Sequence, residues 1–149
     1  MELTRKHLKL SSIVVLVFAG VYLIQIISEL MFGEINNAII PEGAPDNILL
    51  ITKIILLSVS MLLLLPQIYI GIKGIKIAKN PTAAKGHIVW AIILFVFAVL
   101  RLVEPIVNII NRGGLYDNGT TIFSFLLEVM VYFDYIKYAI AVSKDCSAK

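Results

Sequence analysis

The stretch ILLITKIILLSVSMLLLLPQIYIGI, residues 48–72, carries one ionisable side chain, Lys53, in 25 residues. A helix of this length rises about 37 Å at 1.5 Å per residue, more than the ~30 Å hydrocarbon layer of a bilayer. Backbone groups in lipid must find partners within their own segment, so a run of this kind predicts a membrane helix. Three further runs read the same way, at residues 10–32, 88–110 and 121–142. The chain is 59% hydrophobic and 15% charged, with a mean hydropathy of +0.92. Soluble domains carry about 25% charged residues, and a soluble fold of this composition would expose large apolar patches to water.

The runs follow one another closely and predict one all-α domain, residues 1–149, with helices at about 10–32, 48–78, 82–110 and 121–142. Short connections make successive helices antiparallel neighbours. The expected architecture is therefore a polytopic four-helix transmembrane bundle, up-down-up-down. Local signals mark the helix ends. Asp46 or Asn47 is placed to cap helix 2, Pro81 to open helix 3 at a first-turn position, and Thr120 or Thr121 to cap helix 4. Gly113-Gly114 and Asp117-Asn118-Gly119 are turn chemistry. The first apolar run exceeds a signal-peptide core and lacks a small-x-small cleavage site, so it reads as a retained anchor.

Orientation follows the basic residues. Arg5, Lys6 and Lys9, then Lys73, Lys76, Lys79 and Lys85, then Lys144 and Lys149 fall on one side, against Arg112 on the other. The bias predicts a cell-membrane protein with both termini in the cytoplasm. It also accounts for the net charge of +3 without a nucleic-acid partner.

Six ionisable residues fall inside the apolar runs: Lys53, Arg101, Glu104, Glu128, Asp134 and Lys137. A charge at the centre of a membrane helix costs about 2.5–3.5 kcal/mol on insertion scales, so such residues have a partner or a task. Depth along the helices places Lys53, Arg101, Glu104 and Glu128, with Glu29 at the rim, in one outer-half layer. Asp134 and Lys137 fall deeper, three apart on one helix. Polar residues recur at helical spacing on every run: Tyr22, Gln25 and Glu29; Lys53, Ser60 and Gln67; Arg101 and Asn108; Thr121, Glu128 and Tyr135. Such stripes converge where helices pack. The candidate network is thus Lys53, Arg101, Glu104, Glu128, Glu29, Asp134, Lys137, Gln67 and Asn108.

The embedded signs balance, three against three. Spacing allows Arg101 to pair with Glu104 and Asp134 with Lys137 within their helices, and Lys53 with Glu128 between helices. Two readings stay open: a self-neutralising structural network, or a polar pocket. Gly71, Gly74 and Ala78 form a small-residue face whose simplest use is intramolecular packing. His87 reads as a polar boundary residue, and Tyr69, Trp90, Tyr116 and Tyr138 as an aromatic belt. Cys146 stands alone, which excludes an internal disulfide.

No nucleophile–base pair, metal-ligand spacing or phosphate loop can be assembled, so the chain reads as non-enzymatic, with no cofactor. The leading expectation is an accessory, immunity or assembly factor acting through helix contacts. Its partners would be the bilayer and a membrane protein or a second copy. The alternative is a small transporter or channel component using the embedded charges.

Overall fold

The computed structural model describes residues 2–32, 46–82, 85–112 and 119–147. It holds four helices: α1 (Glu2–Phe32), α2 (Asp46–Lys79), α3 (Gly86–Arg112) and α4 (Gly119–Ser147). Among the described residues there is no strand. The patch Ala38-Ile39-Ile40, the turns around Gly113 and Asp117, and Tyr116 lie outside the described residues.

Three helical segments are long and apolar enough to cross a membrane: Glu2–Ser28, Leu50–Lys79 and Gly86–Val107. The helix α4 carries Glu128, Asp134 and Lys137 along its middle and is more polar.

Three helices differ from the sequence expectation by more than two residues at an end: α4 begins at Gly119, so Thr120 and Thr121 lie inside it rather than at its cap, and runs to Ser147 rather than residue 142. The helix α1 begins at Glu2 rather than near residue 10. The basic segment simply continues the helix, and Lys6 pairs with Glu2 one turn back at 2.9 Å. Pro81 does not open α3. The Lys85 carbonyl instead accepts the first helical hydrogen bonds, from the amides of Ile88 (3.0 Å) and Val89 (3.4 Å). The helix α2 closes with the Asn80 amide donating to the Lys76 carbonyl at 2.8 Å, and Pro81 and Thr82 lie outside both helices.

Each helix packs on two others: α1 on α2 and α4, and α3 on α2 and α4. The core between them is built from Leu8 and Val15 of α1, Ile70 and Ile77 of α2, Ala91, Leu94 and Ala98 of α3, and Tyr132, Tyr135 and Ala139 of α4. Leucine, isoleucine, valine and phenylalanine side chains cover the outside.

Low numbers on α1 meet high numbers on α2, as at Ser12 and Gly74, and on α4. His7 stacks on Tyr138 with ring centroids 4.9 Å apart. Above it, the Tyr135 hydroxyl donates to the Ile70 carbonyl at 2.9 Å. Gly74 is where α2 comes close to both α1 and α4, because a Cβ there would press on Ser12 Oγ and lie 2.7 Å from the Tyr135 ring. A Cβ at Gly71 would lie 2.5 Å from Leu16 Cγ. The small face of α2 is therefore spent on packing inside the molecule. Ser11 and Ser12, which share this crowded layer, donate to the carbonyls of His7 and Leu8 at 2.8 and 2.6 Å and leave no hydroxyl donor unmet.

Candidate functional site

One polar side chain from each helix reaches a common level: Tyr22 of α1, Gln67 of α2, Arg101 of α3 and Glu128 of α4. The Tyr22 hydroxyl donates to Glu128 Oε2 at 2.7 Å. It accepts from Arg101 Nη1 at 3.2 Å. Arg101 Nη1 and Glu128 Oε2 are themselves 3.8 Å apart. The phenol is thus a wedge between two opposite charges, using both its donor and its acceptor capacity. Its ring also lies below the guanidinium, with Arg101 Cζ 5.6 Å from the centroid, a cation–π contact.

The environment of the two charges is unequal. The Glu128 side chain is 4% exposed and that of Arg101 35% exposed. A buried carboxylate without a partner is among the costliest groups a fold can carry. Here a short hydrogen bond and a guanidinium compensate it. The exposed part of Arg101 opens into a cavity of about 460 Å³ between the helices, whose polar lining comes from Tyr22, Gln25, Gln67, Arg101 and Ser124. Its size falls within the ~300–1,000 Å³ usual for small-molecule pockets. Gln67 is 3% exposed, yet its Oε1 has no hydrogen-bond partner among the described residues.

The nine sequence candidates separate on this geometry. Arg101 and Glu128 come together, and Gln67 lines the same cavity as Arg101. Asp134 and Lys137 do neither: both are exposed on the outside of α4. Lys137 Nζ lies over the Tyr138 ring, 5.5 Å from its centroid, rather than on Asp134. The side chains of Lys53, Glu104, Glu29 and Asn108 lie outside the described residues, and with them the expected Arg101–Glu104 and Lys53–Glu128 pairs. Glu128 is met by Arg101 and Tyr22.

Tyr22 is the participant that the search for embedded charges passes over. It is uncharged, although its place in the Tyr22, Gln25, Glu29 stripe marks the right face. His87 is a second correction. It is 1% exposed rather than at a polar boundary, edge-on to Tyr135 with centroids 6.1 Å apart. Neither of its ring nitrogens has a hydrogen-bond partner among the described residues. Of the aromatic residues expected at the boundaries, Trp90 and Tyr69 are exposed, whereas Tyr138 is half-buried against His7.

The described groups gathered at the site are an ion pair, a phenol and a carboxamide, which can bind and orient a polar molecule. Compared with known proteins, the chain matches no family model, no curated protein and no solved structure.

Proposed function

We propose that the chain is a non-enzymatic, multi-pass protein of the cell membrane, a small transporter or channel component whose polar layer is its binding site. In this reading all four helices cross the bilayer up-down-up-down, with both termini in the cytoplasm. The basic residues at the N-terminus, in the α2–α3 connection and in the tail support that orientation. So does the pairing of low numbers on α1 with high numbers on α2 and α4.

Helix register also supports α4 as a span. Tyr138 stacks on His7, which precedes the apolar run of α1. Asp134 and Lys137 therefore sit near the cytoplasmic boundary, where long side chains reach the headgroups. That leaves Glu128 as the embedded charge of α4 on the described side chains. Tyr22 lies twelve residues beyond Leu10, about 18 Å into the apolar run. The layer it shares with Arg101 and Glu128 then falls near the bilayer midplane.

The single observation that carries a binding role is Arg101. A guanidinium paired only to neutralise Glu128 would be sealed with it, whereas this one faces a cavity.

The test is flux in reconstituted vesicles. Wild-type protein should raise proton or alkali-cation permeability above that of protein-free vesicles. Glu128→Gln and Arg101→Gln, checked for folding by size-exclusion and circular dichroism, should abolish the rise. Flux through wild type equal to that of empty vesicles overturns the reading.

A further inference from the structure

The α2–α3 hairpin carries positive charge that nothing in the hairpin offsets. Between Asn47 and Val103 there is no aspartate or glutamate, whereas Lys73, Lys76, Lys79 and Lys85 gather around its turn. At the same end of the molecule Glu2 is spent on Lys6, and Asp145 follows Lys144 in the chain.

The cluster has a shape. Tyr69, Lys73 and Lys76 recur at i, i+4 and i+7, which sets them along one face of α2. That face borders the start of α3. The Tyr69 hydroxyl lies 3.9 Å from the position a Cβ of Gly86 would take, and Lys73 acts electrostatically on His87. Lys85 directly precedes Gly86, where the positive end of the α3 dipole also falls. Trp90 stands one turn further along the Gly86 face. Tyr69, Lys76, Lys85 and Trp90 are exposed and Lys73 is half-buried, so the polar groups are open to an occupant.

A bilayer supplies what this seam lacks. On the orientation proposed above it stands at the headgroup level of the cytoplasmic leaflet, where anionic lipids concentrate negative charge. A phosphodiester offers acceptor oxygens to the ammonium groups and to the Tyr69 hydroxyl. Ile72 and Val89, exposed on the same two helices, give acyl chains an apolar flank that a free phosphate would leave unused. A zwitterionic head would bring its own cation into a site already crowded with them.

We propose that the seam between α2 and α3 binds the headgroup of an anionic phospholipid, its phosphate on Lys73, Lys76, Lys85 and the Tyr69 hydroxyl and its acyl chains beside Trp90. The inference rests on the membrane orientation proposed above and not on the transport role.

Trp90 is the only tryptophan in the chain, so its fluorescence reports the lipid at this seam. The full chain is reconstituted in phosphatidylcholine bilayers holding a minor fraction of phosphatidylglycerol, with brominated acyl chains on one lipid or the other as quencher. Phosphatidylglycerol should compete about tenfold better than phosphatidylcholine for the place beside Trp90. Lys73→Gln combined with Lys76→Gln should bring that ratio close to one. Lys144→Gln, at an exposed lysine of α4, should leave it unchanged. Equal quenching by the two lipids in wild type, an unchanged ratio in the double variant, or a loss in Lys144→Gln as large as in the double variant each overturns the inference. Displacement of brominated phosphatidylglycerol by millimolar glycerol phosphate would also overturn it, assigning the site to a free phosphate. Lys76→Gln alone, at an exposed position, should lower the ratio about threefold and decides the matter should the double variant not fold. Absence of flux in the vesicle assay would leave this lipid site standing, and equal quenching would leave the transport reading standing.

Discussion

Removing either charge of the polar layer should cost more than removing both, and removing Arg101 the most. Consider Arg101→Gln, Glu128→Gln and the double variant. At 3.8 Å two unit charges attract by about 4 kcal/mol at an effective dielectric of 20. Breaking a buried pair by deleting one partner costs about 3–5 kcal/mol, because the survivor is left uncompensated. The two sites are unequal. Arg101→Gln strands Glu128, whose side chain is 4% exposed, and should reach that full range. Glu128→Gln strands Arg101, whose side chain is 35% exposed and can be solvated from the cavity, so about 2–3 kcal/mol is expected after screening. The double variant strands no charge, and its two amides can hydrogen-bond each other or Tyr22. It should lose about 1–2 kcal/mol, so the coupling energy is several kcal/mol and of the opposite sign to the single losses. The assay is reversible unfolding by sodium dodecyl sulfate in mixed micelles, followed by circular dichroism. Losses that add to within about 0.5 kcal/mol would refute direct contact between the two side chains.

Further outcomes can be checked on the same assay. Gly74→Val should destabilise by about 1–3 kcal/mol through overpacking against Ser12 and Tyr135, whereas Gly20→Ala, where nothing lies within 4 Å, should be neutral or slightly stabilising. Tyr135→Phe removes the donor to the Ile70 carbonyl and should cost about 0.5–1.5 kcal/mol. In ligand-free protein, Gln67→Met should be stabilising by about 1–2 kcal/mol, because an unpartnered buried acceptor disappears; a loss of stability would show that Gln67 is satisfied in the resting state. Asp134→Asn and Lys137→Gln should each stay within about 0.5 kcal/mol of wild type, as exposed side chains away from the packed core do.

The helices were legible because lipid-length apolar runs leave little choice of secondary structure. Their ends were less so. Charge density says where a run stops being apolar, not where hydrogen bonding stops, so the continuation of α1 back to Glu2 was hidden by its basic residues. Pro81 carries a helix-start signal, yet α3 begins only at Gly86, where the Lys85 carbonyl accepts its first hydrogen bonds. Periodicity found the inward faces of α1, α2 and α4, and so placed Tyr22, Gln67 and Glu128 on the correct side. Pairing was not legible in the same way, since one-dimensional depth cannot choose among several opposite charges. For Arg101 the partner that the described side chains show is Glu128, brought to it by the packing of α4 on α3. Asp134 and Lys137 were grouped with the embedded charges because they fall inside the apolar run, whereas both side chains are exposed on the outside of α4. The contact between Tyr138 and His7 fixes the register from the other end. His87 shows the remaining limit: the first turn of a helix reads as boundary, yet here the core closes over it.

The central claim is that Arg101 and Glu128, from different helices, meet in the membrane interior beside Tyr22. Solid-state NMR of the full chain in lipid, with ¹⁵N-labelled arginine side chains and ¹³C-labelled glutamate carboxylates, measures that contact directly. The account predicts strong nitrogen–carbon dipolar dephasing assigned to Arg101 and Glu128, as their 3.8 Å nitrogen–oxygen separation requires, and its loss in Glu128→Gln. The same dephasing curve in wild type and Glu128→Gln would contradict it.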